Sequence, residues 1–116
     1  QGIAHLEHLE AESNLVVPPV GACDLAMCYT GRAMGNIVPP GTVVLLKAVD
    51  RDAIIPGGEY VIVCRKIVTL RIVRLADGED KLRLVAGDRE NYDDIVLNVN
   101  DIVSVYKVKG KLIINS

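Results

Sequence analysis

Residues 59–86 read EYVIVC-RK-IVTLRIVRL-ADGED-KLRLVA. Apolar runs rich in Val, Ile and Leu are broken at two polar points. The β-branched residues among them are stiff at χ1, which suits a pleated strand better than a helix. Residues 59–75 together are too long for one ordinary strand. Arg65-Lys66 is the polar pair inside them, so a turn or bulge is expected there. Asp77-Gly78 then predicts a hairpin connection between Ile67–Leu75 and Lys81–Ala86.

The same pattern extends both ways from this stretch. Upstream, Pro56-Gly57-Gly58 marks a turn before Glu59, and Thr42–Val49 follows the break at Pro39-Pro40-Gly41. Asp24–Thr30 reads as a further strand. Downstream, residues 87–94 (GDRENYDD) form a polar loop, followed by strands at Ile95–Val99 and Ile102–Val108. Lys109-Gly110 reads as the turn of a last hairpin, with Lys111–Asn115 as its second arm. Near the start, Val16–Val20 is extended, because Pro18 and Pro19 block a helix. Ile3, Leu6 and Leu9 recur at a spacing that suits a short helix ending at Asn14. The expected organisation is a tail or linker over 1–14 and one domain over 15–116. The fold class is all-β, a curled barrel-like set of strands with at most a short N-terminal helix.

Composition bounds the function. A chain of 116 residues makes one domain, large enough to bury a core without disulfide or metal staples. An apolar half excludes general disorder. Thirteen basic and fifteen acidic side chains leave a formal charge of −2, which is not the basic footprint of a nucleic-acid binder. Contact with DNA would therefore belong to a separate upstream domain. The chain starts at Gln1 without an initiator Met, as a fragment of a longer protein would. Glu7, Glu10 and Glu12 argue against a signal peptide, and no apolar run approaches the length of a membrane-crossing helix. Three cysteines, an odd number, fit free thiols in a reducing compartment, which points to the cytoplasm.

Few residues suggest metal or cofactor chemistry. Cys23 and Cys28 are thiolates at a spacing that a zinc site can use, but in a strand they point to opposite faces. No second pair supplies the other ligands at a standard spacing, so they read as structural cysteines. His5 and His8 would share one face of a terminal helix, and two ligands make a weak site. Asp93-Asp94 and Glu79-Asp80 read as loop solvation and turn chemistry. Gly57-Gly58 lacks the strand-to-helix setting and the Lys-Ser/Thr ending of a phosphate loop. No metal and no cofactor are expected.

Gly31-Arg32-Ala33-Met34, followed by Ile37-Val38-Pro39-Pro40-Gly41-Thr42-Val43-Val44-Leu45, resembles the nucleophile segment of the LexA and phage-repressor autopeptidases. That family shares its fold with bacterial signal peptidases. Asp24-Leu25-Ala26-Met27 resembles the strand leading into the segment. Pro56 to Val63, then Asn91-Tyr92 and Asp101-Ile102, resemble the segments that follow it. The resemblance spans roughly residues 15–113. It implies a curled signal-peptidase-type β fold and, in the family, a serine nucleophile with a lysine general base. The lysine must be neutral to accept a proton, which burial promotes. Here Ala33, flanked by Gly31 and Met34, stands at the serine position. Leu70 stands at the lysine position, followed by Arg71. A guanidinium stays protonated and cannot replace the base, and Lys66 falls at the expected turn. Cys28 lies in the preceding strand rather than in the turn, with no His beside it, and so makes a poor substitute nucleophile.

The resemblance thus implies a domain without peptidase chemistry, serving regulation and dimerisation in a repressor-like transcriptional regulator with an upstream helix-turn-helix. Two other readings stay open. One is an active serine/lysine autopeptidase whose serine has been replaced by Ala33, against which Leu70 speaks. The other is a generic β interaction domain. If Lys109-Gly110 is a turn, both faces of the last hairpin are apolar and its final strand is a free edge. A homodimer through Val105, Leu112 and Ile114 would cover them. No membrane partner is expected.

Overall fold

The computed structural model describes residues 23–113. The strands are β1 (Leu25–Tyr29), β2 (Thr42–Val49), β3 (Glu59–Cys64), β4 (Val68–Leu75), β5 (Lys81–Val85), β6 (Ile95–Asn98) and β7 (Ile102–Leu112). They form one antiparallel sheet in the order β1-β2-β7-β3-β4-β5-β6, curled into a half-barrel. Helical backbone among the described residues is confined to two short 3-10 turns, Arg51–Ala53 and Val99–Asp101. No helix there is long and apolar enough to cross a membrane. The expected helix over residues 1–14 lies outside the described residues.

Local chemistry places most of the breaks. Cys64 N–H donates to the Ile67 carbonyl at 2.8 Å, so Arg65-Lys66 is a tight turn between β3 and β4. The β4–β5 connection contains Gly78 at φ 104° and Asp80 at φ 58°. Asp is among the few residues that tolerate this left-handed conformation. Asp24 starts β1 by taking the Ala48 amide on Oδ2 at 2.8 Å, while its own amide donates to the Leu46 carbonyl at 2.7 Å.

Strand alternation sends side chains to both faces of the sheet. On β3, Val61 and Val63 join Met27, Val44, Leu46 and Tyr106 in one apolar cluster, with Leu70 from β4. Tyr60 and Ile62 join Val73, Leu84, Ile102 and Val105 in a second. Each fully buried aliphatic side chain stabilises the fold by about 1.5–3 kcal/mol. Met34 and Val38, from the β1–β2 loop, fold into the first cluster with no exposed surface.

The expected C-terminal hairpin is corrected. β7 is one continuous strand through Lys109 and Gly110, paired with β2 on one side and β3 on the other. Gly110 is opposite Leu45, whereas Val108 is opposite Leu46, so Lys109 is the extra residue of a bulge. Gly110 is not among the glycines with positive φ, which a tight two-residue hairpin turn would require. It serves close approach instead: a Cβ there would lie 3.3 Å from Leu45 Cδ1. β7 is therefore not an edge; β1 and β6 are the edges. Val105 is 1 % exposed and packs in the second cluster, so it is withdrawn from any dimer surface. Both faces of β7 carry apolar residues as expected; Ile102, Val105 and Tyr106 are buried by the chain's own sheet, while Val103 stays exposed. Leu112 remains exposed at the surface, and Ile114 lies outside the described residues.

Candidate functional site

The segment singled out in the sequence forms a compact turn between β1 and β2. Gly35 N–H donates to the Arg32 carbonyl at 3.1 Å, and Ile37 N–H to the Met34 carbonyl at 3.0 Å. Gly35 takes φ 56°, a left-handed conformation that glycine adopts without steric cost. The polar loop after β5 pins this turn from outside. Asp88 N–H donates to the Ala33 carbonyl at 2.9 Å. Gly87 sits so close that a Cβ would lie 2.1 Å from the Met34 carbonyl oxygen, and only glycine fits there. Asp88 also organises its own loop. Its carboxylate accepts from Asn91 Nδ2 at 2.9 Å, and its carbonyl accepts from Tyr92 N–H at 3.2 Å.

The turn holds Gly31 and Arg32 at the surface and buries Ala33 and Met34. Leu70 is 1 % exposed and shares the first apolar cluster with Met34. The position that the resemblance gives to the base thus lies in the cluster that Met34 also enters, and Ala33, at the nucleophile position, is the residue before Met34. Among the described residues no lysine is buried. Lys66 is exposed in the β3–β4 turn, Lys47 pairs with Asp24 at 3.7 Å, and Lys111 pairs with Glu59 at 3.0 Å.

Arg71 lies next along β4 and is buried, with 9 % of its surface exposed. Its guanidinium carbon stands 6.0 Å from the centre of the Tyr92 ring. Nε and Nη1 are buried and donate to no acceptor. Tyr29, at the end of β1, places its hydroxyl 2.7 Å from where a Cβ on Gly31 would be. Burial raises the Tyr29 phenol above its ordinary 10.0. The Met34 amide, the Arg71 charge and the Ala33 amide pull it down by less, and Tyr92 adds a small upward push. Tyr29 therefore fills the space in front of the turn's amide groups. Sequence reading passed over Tyr29. Its signal was faint: an aromatic at a strand end, just before a glycine it needs for room.

A surface groove of about 530 Å³ opens beside the turn, lined by Ile37, Ile72, Arg74, Arg83, Gly87 and Arg89. Asp94 meets two of its arginines, Arg83 at 3.4 Å and Arg89 at 3.8 Å. The three cysteines are free and half-buried. Burial, with a smaller push from Asp101, raises the Cys64 thiol above its ordinary 9.0. Among the described residues no group of three His, Cys, Asp or Glu side chains is placed to hold a metal. His5 and His8 lie outside them. Around the turn the described residues thus set a buried guanidinium, a half-buried phenol and an arginine-lined surface groove. Comparison with protein-family models and with curated proteins finds no match to this sequence.

Proposed function

We propose that this is a non-catalytic regulatory and self-association domain, related to the LexA-type autopeptidases but without their dyad. The observation that carries the reading is the pinned turn with Ala33 buried in it and Leu70 in the adjoining cluster. The turn, its bracing loop and the curled sheet are elaborate for a simple interaction module. The residues at the two reactive positions are aliphatic. Regulation in such a domain works through binding and association. Leu112 and Ile113, exposed at the end of β7, are among the exposed apolar residues and offer a surface for self-association. Any DNA contact belongs to a separate upstream domain.

Intact mass after prolonged incubation at about pH 9–10, where a lysine base begins to lose its proton, tests the catalytic half. The chain with Ala33 or with Ala33→Ser is expected to stay whole, and Ala33→Ser with Leu70→Lys to release a specific fragment slowly. Cleavage by the single variant would mean that the base lies elsewhere and the reading is wrong. Light scattering tests association: the full chain runs as a dimer, and Leu112→Glu shifts it toward monomer. A monomer at every concentration removes the self-association half.

A further inference from the structure

We infer that the groove beside the β1–β2 turn binds a small organic phosphate monoester, whose phosphate meets Arg74, Arg83 and Arg89 and whose apolar part lies on Ile37, Ile72 and Val85. The site does not rest on the regulatory reading above.

The groove holds about 530 Å³, within the range of small-molecule sites. Strand register builds it. Ile72 is opposite Val85 and Arg74 is opposite Arg83, so both pairs leave β4 and β5 on one face. An apolar floor therefore runs directly into two guanidiniums. Arg89, from the loop after β5, and Ile37, from the β1–β2 turn, join the lining. Arg74 Nη1 lies 3.2 Å from where a Cβ on Gly57 would be, so no side chain at that position covers it.

Like charges directly opposite each other in an antiparallel pair are destabilising, and here the chain does not neutralise them. Arg74 is exposed and makes no ion pair among the described residues. Arg83 and Arg89 share one carboxylate, Asp94, at 3.4 and 3.8 Å. None of the described residues lining the groove is acidic. Glu59, opposite Ile72 on β3, is taken by Lys111 at 3.0 Å, and Asp88 accepts from Asn91 at 2.9 Å. Glu90 and Asp93 are exposed on their loop and stand outside the lining.

Charge selects the ligand class. Three guanidiniums set against one carboxylate leave two positive charges in excess. A phosphate monoester carries about −1.5 to −2 charge at neutral pH and concentrates it on one group with three strong acceptor oxygens. That suits arginines that stand opposite each other on adjacent strands, since planar guanidinium forks pair well with phosphate oxygens. A monocarboxylate would leave one charge unmet. The apolar floor then favours a phosphate with an apolar group over inorganic phosphate, and the volume suits a small molecule rather than a polymer.

The test is a titration of the full chain with phenyl phosphate at constant ionic strength and about pH 7.5, above the second phosphate pKa of about 6. NMR reads the amides of Arg74, Arg83 and Gly87 and the methyl groups of Ile37. Saturable shifts at all four are expected, with affinity about tenfold above that for inorganic phosphate or benzoate. Arg74→Gln and Arg89→Gln, both at exposed positions, should each weaken binding severalfold. Arg65→Gln, an exposed cation in the β3–β4 turn and outside the groove, should leave it unchanged. Equal binding of inorganic phosphate, of benzoate or of phthalate, an aromatic dicarboxylate, would overturn the assignment. So would shifts that do not saturate, unchanged binding in either groove variant, or an equal loss in Arg65→Gln, the mark of diffuse charge attraction. Shifts that appear only when Glu7, Glu10 and Glu12 are all changed to Gln would give the groove to the chain's own acidic segment and overturn it as well.

Discussion

Leu70 and Arg71 are adjacent on β4 and both are buried, but the regions they enter are built differently. Leu70 joins an apolar cluster in which every neighbour gains from contact. Arg71 enters a polar corner with two idle nitrogen donors and the Tyr92 ring beside its guanidinium. The first region is what close packing produces when nothing but stability is at stake. The second carries an unpaired buried charge, which lowers stability. Regions that depart from the packing optimum in this way are where function is to be sought.

The largest expected effect falls on the packed side. Leu70→Ala removes most of a fully buried side chain and should destabilise the domain by about 2–5 kcal/mol in urea unfolding. A loss below about 1 kcal/mol would mean that the cluster is loosely packed and that the contrast with Arg71 is smaller than drawn.

The next effect has the opposite sign. Arg71→Met replaces a buried charge of similar length by an apolar group. It loses a cation–π contact worth about 0.5–2 kcal/mol, but it removes idle donors costing about 1–3 kcal/mol each. In chloride buffer the variant should therefore unfold at equal or higher urea than the parent. A clear loss of stability would show that Arg71 is a structural residue with partners in solution, and the two regions would then be alike.

The smallest effect sharpens the polar side alone. The Tyr29 phenol is raised in the folded state above its unfolded value of 10.0. The unfolded phenol therefore ionises first. Stability held below pH 10 is lost as pH rises from there through the folded value. The urea midpoint should fall slightly on crossing that range, and Tyr29→Phe should fall less. Tyr29 is half-buried, so the difference is small. An equal fall in both proteins would place Tyr29 in open solvent.

How much of this was legible in advance follows from the range of each signal. Thr42–Val49 and Glu59–Cys64 match the observed β2 and β3, because Pro-Gly turns bound them and apolar residues fill them. The Arg65-Lys66 turn was legible for the same reason. Lys109-Gly110 misled because a Lys-Gly pair after an apolar run looks like a turn when only its neighbours are considered. Leu45, more than sixty positions away in the chain, decides its role as part of a bulge. Ala33 and Leu70 could be singled out by the resemblance from the ordered segments around them. Their burial, and the way Gly87 and Asp88 brace the turn, could not.

The sequence alone determined where the strands lie and that the chain is all-β, because side-chain stiffness, alternation and turn chemistry act within a few residues. It also determined that no lysine or serine stands at the two positions where the resemblance would put them. Only the tertiary structure decided that β7 runs through the middle of the sheet and sends Tyr106 into one apolar cluster and Ile102 and Val105 into the other. It alone set the Tyr92 ring beside Arg71 and the Tyr29 hydroxyl against Gly31. These are pairings between distant segments. Their geometry depends on how the whole sheet curls, a cooperative property that no local run of residues encodes.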